Sequence, residues 1–209
     1  MNDKDSRRQV VTATHDDEEY FAQMIARAVV EAELPAARYL VPDDDQRHAV
    51  LTSIFRLELE NVRERGGIVR TVSGREAVAL WTYHRGPDEP EPQLTAGLEK
   101  AAGAAASRFL AFYRTLDARR RELLGDQPHW HLRILAVRSD QQRQGFGGLL
   151  VRNQLATIDR VGEPSYVEAP TEELSEALQS LGFRSISPPL VFGDGRTRVF
   201  PALHRTTRR

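Results

Sequence analysis

The residues best suited to chemistry lie in one short loop rich in glycine and glutamine. Residues 134–151 read as an apolar strand, a polar turn, this loop and an apolar helix. That order points several backbone N–H groups and the positive end of a helix dipole at one place, which favours phosphate binding. Glycine allows the backbone to approach the anion, and arginine adds a fixed cation. The loop consists of Gln142, Arg143, Gln144, Gly145, Phe146, Gly147 and Gly148.

The glycine spacing separates this loop from two common phosphate-binding loops. A nucleotide P-loop ends in Gly-Lys-Ser/Thr, and no such triplet is present. A dinucleotide-binding Rossmann loop needs a third glycine where this chain has Leu150. Glu163 and Glu168 bracket the distance of about 20 residues at which a Rossmann protein carries its acidic ribose ligand. Residue type therefore leaves that interpretation open, although the strands predicted after residue 183 argue against it.

What remains is a Gln-x-x-Gly-x-Gly pattern at Gln142, Gly145 and Gly147. It resembles the acetyl-CoA pyrophosphate loop of the GNAT N-acetyltransferase superfamily. The preceding strand end, residues 135–137, and the sequence Leu-Gly-Phe at residues 181–183 resemble the same superfamily. The resemblance implies acetyl-CoA as cosubstrate and transfer of its acetyl group to a primary amine of a small molecule.

The same resemblance implies how the cosubstrate is held. Residues 142–148 would bind its diphosphate. The main chain of Leu135, Ala136 and Val137 would pair with its pantetheine arm as a further strand does. The N–H group of Val137 would face the thioester oxygen and stabilise negative charge there.

Bulk composition describes an ordinary globular chain. Its 209 residues suffice for a real core, and 40% are hydrophobic and 28% charged. A net charge of −1 gives no electrostatic case for nucleic acid or an anionic membrane as partner. The chain contains no cysteine, which excludes disulfides and thiolate chemistry and suits a reducing cytoplasm. No clustered ligand pattern suggests a metal, and the oligomeric state is left open between monomer and homodimer.

Periodicity and turn residues predict strands and helices in alternation. A flexible tail is expected over residues 1–8, a single domain over 9–204 and a basic tail over 205–209. The predicted strands cover residues 9–14, 68–72, 77–83, 129–137, 165–169, 185–192 and 197–203. The predicted helices cover residues 18–33, ended by Pro35, and 43–65, 94–124, 146–161 and 171–181.

This order matches the α/β fold that the resemblance implies. The GNAT fold has a mixed, mostly antiparallel central sheet flanked by helices. Its two parallel central strands, here near residues 129–137 and 165–169, splay apart and leave a gap for the cosubstrate. A right-handed crossover through the helix at 146–161 is expected between them.

A narrower resemblance is to puromycin N-acetyltransferase-like GNAT proteins. It rests on the sequence Pro-Asp-Asp-Asp at residues 42–45 followed by Arg47, on His129-Trp130 at the start of the central strand, and on Glu168 lying 15 residues before Phe183. Acidic helix caps and aromatic strand starts also occur widely, so this subgroup is less firmly indicated than the superfamily.

The first candidate for the catalytic base is His131. An unperturbed histidine is largely neutral at physiological pH and can accept a proton from an ammonium. Relative to Val137, it occupies the strand position where several GNAT enzymes carry a basic Glu or His. Glu168 is the second candidate, acting directly or through a water. The alternatives are a strand histidine packed beside Trp130 for the first, and an ion pair with Arg133 for the second.

The general acid is where the sequence departs from the superfamily. Many GNAT enzymes carry Tyr and Asn where this chain has Leu178 and Leu174. A thiol with a pKa of about 8.5 can leave with the help of water. Ser175 is the candidate to position that water. The alternative is a catalytically weak acyl-CoA-binding protein of GNAT fold, with a sensing or partner-binding role.

The acceptor site is expected opposite the cosubstrate, between the N-terminal helices and the final hairpin. Four aromatic residues are candidates to line it, and the acidic residues 43–45 are candidates to attract a cationic amine. Helix capping explains the acidic residues equally well. The aromatic candidates are Tyr39, Trp81, Tyr83 and Phe192.

Overall fold

The computed structural model describes residues 7–86, 92–193 and 195–205, with the backbone alone at residues 92–95. Most of the tails predicted over residues 1–8 and 205–209 lies outside the described residues. The strands are β1 (Val10–Thr12), β2 (Ile68–Val72), β3 (Ala77–His84), β4 (His129–Val137), β5 (Ser165–Ala169), β6 (Arg184–Ser185), β7 (Leu190–Phe192) and β8 (Thr197–His204). The α-helices are α1 (Glu18–Glu31), α2 (Pro35–Leu40), α3 (Asp44–Glu64), α4 (Pro92–Ala102), α5 (Ala106–Leu124), α6 (Phe146–Val161) and α7 (Glu172–Gln179).

The strands form one sheet in the order β1-β2-β3-β4-β5-β8-β6, and β7 pairs with β8. Every described pairing is antiparallel except that of β4 with β5. This confirms the predicted mixed, mostly antiparallel α/β fold. A Rossmann fold is excluded because it needs a mostly parallel sheet.

The two parallel central strands share only three residue pairs. They run from Trp130 opposite Ser165 to Leu132 opposite Val167. β3, in contrast, follows β4 over its whole length, with a bulge that leaves Arg133 without a partner. Beyond Leu132, β4 and β5 separate, and a gap opens in the middle of the sheet.

Helices cover both faces of the sheet. On one face, α6 and α7 pack on β3, β4 and β5 around a cluster that includes Trp81, Leu150 and Phe183, all with no exposed surface. On the other face, α1 and α3 pack on β2, β3 and β4 around Phe21 and Leu59. A neighbouring cluster joins α1–α5 to β7 and β8. Helices therefore enclose the gap between β4 and β5 from both sides.

Local signals explain where several helices begin. The Asp43 carboxylate accepts hydrogen bonds from the N–H groups of Asp45 and Gln46, at 3.0 and 3.3 Å, and caps α3. The Thr171 hydroxyl accepts one from the N–H of Leu174 at 3.1 Å and caps α7. The bounds of α6 agree with the prediction.

Three predicted boundaries were wrong. Pro35 was predicted only to end the helix over residues 18–33. It also begins α2, at a position where no helical hydrogen bond needs its missing N–H group. The long helix predicted over residues 94–124 is broken at Gly103, whose φ of +50° interrupts the helical path between α4 and α5. The strand predicted over residues 185–192 is split into β6 and β7, because Pro188 and Pro189 cannot donate ladder hydrogen bonds.

No helix among the described residues is long and apolar enough to cross a membrane.

Candidate active site

The glycine-rich loop enters α6 through two residues in the left-handed region. Arg143 has a φ of +60° and Gly145 a φ of +84°. Such a conformation is unusual for a residue with a side chain and often occurs at ligand sites. Within the described part of the chain, no hydrogen bond occupies the backbone N–H groups of residues 142–148. The loop therefore presents a row of free donors at the positive end of α6.

The side chains of the loop divide into exposed and anchoring ones. Gln142, Arg143 and Gln144 are exposed, whereas Phe146 is buried in the core. A Cβ atom added at Gly147 would lie 3.4 Å from a methyl group of Val137, which is an ordinary van der Waals distance, so the start of α6 lies beside the end of β4. Gly148 continues the helix beside it.

A positively charged side chain from the N-terminal segment contacts the loop. The guanidinium of Arg8 donates a hydrogen bond to the carbonyl of Gln144 at 3.2 Å and lies 4.9 Å from the ring centre of Phe146. Sequence reasoning did not find this residue, because 136 positions separate Arg8 from Gln144. The loop thus has a second arginine near its free amides.

The open edge of β4 supplies further free backbone groups. The N–H of Arg138 donates to the carbonyl of Glu76, which precedes β3, at 2.8 Å. Because backbone groups point alternately to the two edges of a strand, the N–H of Val137 points away from β3. Leu135 shares that orientation, while Ala136 faces β3. The strand therefore offers donors and acceptors to the gap, where a further strand would normally lie.

A cavity of about 240 Å³ lies where β4 and β5 separate. It extends between the sheet and α1, α2, α3 and α5, and α7 and β8 also contribute to its wall. Most of the lining side chains are apolar. The polar ones are Glu58, Tyr113, Asp117, His131, Arg133 and Glu168.

Both candidate bases lie at this cavity and contact each other. His131 Nε2 is 3.3 Å from Glu168 Oε2, and the two side chains are only 6% and 9% exposed. The hydroxyl of Tyr166 donates to the other carboxylate oxygen of Glu168 at 3.0 Å. His131 Nδ1 is buried and has no hydrogen-bond partner. If Nε2 carries the proton and donates it to Glu168, the lone pair of Nδ1 is free.

Burial dominates the electrostatics of this pair. It lowers the pKa of His131 well below its usual value, and the nearby guanidinium groups of Arg133 and Arg120 lower it further. The imidazole is therefore neutral at neutral pH. Burial also raises the pKa of Glu168, while the hydrogen bond from Tyr166 acts in the opposite direction by stabilising the carboxylate.

A second group of buried polar residues lies behind His131. The guanidinium of Arg120 lies 3.3 Å from Nδ1 of His84 and 3.5 Å from Nε2 of His129. The two imidazole rings stack with their centres 4.8 Å apart. Nδ1 of His129 lies 2.7 Å from the carbonyl of Gln127, so it donates there and leaves Nε2 to accept from Arg120. This cation opposes protonation of His131.

Arg133 has a different partner from the one considered from the sequence. Its guanidinium makes a two-pronged contact with the carboxylate of Glu58 on α3, with Nη2 at 3.0 and 2.9 Å from the two oxygens. The alternative that Glu168 serves as the partner of Arg133 is therefore wrong. Burial disfavours the charge on Arg133, but Glu58 more than offsets this and the pKa is raised. Burial raises the pKa of Tyr113, which lies beside them, and the negative charge of Glu58 raises it further.

α7 turns two leucines towards the cavity. Leu174 and Leu178 line it, and Leu178 is 1% exposed. Ser175 is buried on the same helix but is not among the residues lining the cavity. Neither leucine can donate a proton. The described wall of the cavity nearest α7 is therefore apolar.

None of the four aromatic candidates from the sequence lines this cavity. Trp81 is fully buried in the core against α6, and the hydroxyl of Tyr83 bonds to Glu163 instead. Tyr39 packs on Phe192, with ring centres 6.1 Å apart. The aromatic residues that do line the cavity come from α3 and α5, where helical spacing made them look like ordinary core. They are Phe55, Phe109, Phe112 and Tyr113.

The acidic residues before α3 have local partners. Asp43 caps the helix, and Asp44 pairs with the buried side chain of Arg47, which also donates to the carbonyls of Val41 and Pro42. Helix capping accounts for this cluster. No group of three or more potential metal ligands occurs among the residues that the structure describes.

Comparison with solved structures agrees with this architecture. A structure of the histone acetyltransferase HPA2 and related acetyltransferase from Corynebacterium glutamicum is 24% identical, with a TM-score of 0.63 over 96% of this chain and 97% of that one. Arylalkylamine N-acetyltransferase 2 from the mosquito Aedes aegypti is 13% identical, with a TM-score of 0.61 over 95% of this chain and 99% of that one. An agmatine N-acetyltransferase is 17% identical, with a TM-score of 0.55 over 94% and 98%. No family model and no curated sequence match the chain.

Proposed function

We propose that this protein is an acetyl-CoA-dependent N-acetyltransferase that moves an acetyl group directly to a primary amine of a small molecule. The observation that carries the proposal is the position of His131. It is a buried, neutral histidine with an unpartnered Nδ1, and it lines the cavity at the point where β4 and β5 separate. A base is thereby next to the gap that would hold the acetyl donor.

The residues around the gap fit acetyl-CoA. The free N–H groups of residues 142–148, with Arg143 and Arg8 beside them, suit a diphosphate. The open edge of β4 at Leu135 and Val137 suits the amide groups of the pantetheine arm. When bound, acetyl-CoA would supply a thioester carbonyl for attack and a thiolate as leaving group.

His131 would remove the proton that keeps the acceptor amine unreactive. His131 would accept the proton from the ammonium, and the carboxylate of Glu168 lies 3.3 Å from its Nε2. The carboxylate of Glu168 then stabilises the imidazolium, and the hydroxyl of Tyr166 holds that carboxylate in place. This is the logic of a base oriented by a third group.

Backbone and solvent would supply the remaining help. The N–H of Val137 points into the gap, where it can stabilise negative charge on the carbonyl oxygen. Leu178 offers no proton, so the thiolate would leave unprotonated or take its proton from water, as its moderate pKa allows. Ser175 stays a candidate to position such a water, although it does not line the cavity.

Two measurements test this function. Coenzyme A and acetyl-CoA should each raise the melting temperature, whereas NAD should not. Coenzyme A release should then depend on an added amine and on His131, with His131→Ala losing most of the rate. If His131→Ala retains both the rate and its pH profile, the assignment of the base is wrong.

The second candidate function is acyl-CoA binding with little catalysis. The observation that favours it is the apolar surface of Leu174 and Leu178, which lack the Asn and Tyr common in the superfamily. It predicts stabilisation by coenzyme A with no release of coenzyme A across a panel of amines. The narrower likeness to puromycin N-acetyltransferase-like proteins stays a prediction, because capping explains its acidic motif.

A further inference from the structure

The part of the cavity wall that α1, α3 and α5 form is largely apolar. Helices α1, α3 and α5 contribute aliphatic and aromatic side chains there, and among the described lining residues α1 and α2 contribute no charged one. The side chains that define this wall are Ile25, Leu51, Ile54, Phe109, Phe112 and Leu116.

Each charged side chain that lines the cavity already has a partner, either in the lining or just outside it. Glu58 holds Arg133 through both carboxylate oxygens. Asp117 Oδ1 lies 3.3 Å from Nη2 of Arg120. Glu168 contacts His131 and accepts from the hydroxyl of Tyr166. A ligand that extended from His131 along the apolar wall would therefore meet no free carboxylate.

Size adds a second constraint. The cavity measures about 240 Å³, below the range of about 300–1,000 Å³ for pockets that bury drug-sized ligands. A cavity of this size favours a small acceptor over a nucleoside or an aminoglycoside. A small amine with one short carbon skeleton fits.

We propose that the acceptor is a small monoamine with an apolar carbon skeleton, an arylethylamine or a short alkylamine, and that diamines are rejected. This inference rests on the proposed acetyl transfer. The amine nitrogen lies at His131, and the carbon skeleton lies against Phe109, Phe112 and Leu116. A second ammonium carried along that wall would lose its hydration without gaining a partner, which disfavours binding strongly.

The test compares matched amines with acetyl-CoA as donor. From ethylamine to hexylamine, kcat/KM should rise about fourfold per added methylene until the cavity is filled. 2-Phenylethylamine should be a good substrate. 1,4-Diaminobutane should have a kcat/KM at least about 100-fold below that of butylamine. Equal rates for the diamine and the monoamine would overturn the proposal.

A variant that gains activity towards diamines would show that this wall contacts the acceptor and does not serve the core alone. Leu116→Asp places a carboxylate in the wall and should raise the kcat/KM ratio of diamine to monoamine about tenfold or more. Leu110→Asp is the matched control, because Leu110 is a partly buried leucine of the same helix that does not line the cavity. A change of the same size in both variants would contradict the proposed wall.

An acyl-chain series excludes the rival occupant of the apolar wall. If hexanoyl-CoA replaces acetyl-CoA with a higher kcat/KM and amine length has no effect, the wall holds an acyl chain and the proposal is wrong. Melting curves with coenzyme A plus amine give a readout without turnover, and phenylethylamine should add stabilisation that diaminobutane does not. Absence of any response to coenzyme A itself would instead contradict the proposed function.

Discussion

Nε2 of His131 lies 3.3 Å from the carboxylate of Glu168, and the opposite ring nitrogen of His131 is buried without a partner. One nitrogen thus lies beside a carboxylate, and the other makes no hydrogen bond. Replacing the ring should therefore remove a base, because His131 is the only histidine among the described residues that line the cavity.

His131→Gln should lower kcat by about 10²- to 10⁴-fold, the usual contribution of a general base. In the wild type, the lowered pKa of His131 keeps the imidazole neutral as the pH falls through 6.5, so the rate should hold to a lower pH than for an ordinary histidine. The measurement is kcat against pH at saturating acetyl-CoA. His48→Gln, at an exposed histidine on α3, should leave the profile unchanged.

Tyr166→Phe should lower kcat about tenfold while the fold is kept, because the ring remains and one hydrogen bond to a carboxylate is lost. The loss raises the pKa of Glu168 further. Since only the ionised carboxylate carries the negative charge that stabilises the imidazolium of His131, the rate should begin to fall at a higher pH than in the wild type. An unchanged acid limb would show that Tyr166 serves packing alone. Tyr39→Phe is the control.

Gly145→Ala should weaken coenzyme A binding about tenfold or more, as measured by calorimetry, because a Cβ at a φ of +84° strains the loop by about 1–2 kcal/mol. Gly162→Ala is a matched control at the other end of α6. It has a φ of +73° and no atom within 4 Å of an added Cβ. Both variants should lose similar stability, but only the first should lose affinity. Equal affinity losses would mean that the loop is not the binding site.

Glu58→Gln should lower the free energy of unfolding by about 3–5 kcal/mol, because it leaves Arg133 buried with an incomplete partner. The double variant Glu58→Leu with Arg133→Met should recover most of this loss. Urea unfolding at neutral pH measures both. The exposed pair of Glu19 with Arg56 is the control, and Glu19→Gln should change stability little. A small effect of Glu58→Gln would show that water reaches the pair.

Leu178→Tyr should cost about 1–3 kcal/mol of stability, because this core position is 1% exposed and the larger ring must be accommodated. The side chain also lines the cavity, so the ring has space on one side. The hydroxyl would restore a proton donor, and kcat should rise or stay unchanged. A fall in kcat with the fold intact would argue against a missing general acid, whereas complete unfolding would show that the position serves the core alone.

The local parts of the site were predictable from the sequence. The glycine spacing identified the loop, and hydrophobic periodicity placed β4, α6 and β5 with the observed bounds. His131 and Arg133 lie two residues apart on β4, and both line the cavity. These signals depend on neighbours within about 20 residues, which sequence reading captures.

The contacts that were missed join distant parts of the chain. Glu58 and Arg133 are 75 positions apart, and the bulge that leaves Arg133 unpaired on β3 follows from register, which no local pattern encodes. Trp81 was a candidate for the acceptor site but belongs to the core, because both faces of β3 are covered and alternation does not distinguish them. The break at Gly103 was missed since glycine alone does not reveal a positive φ.

The short pairing of β4 with β5 makes the sheet two half-sheets that meet along three residue pairs. Strands β1–β4 belong to the first half and β5–β8 to the second. The chain passes between the halves once, through residues 138–164. That single covalent crossing contains the glycine-rich loop and α6. A ligand bound by the loop would therefore contact the same segment that connects the two halves. Cosubstrate binding and the width of the central gap should therefore depend on each other.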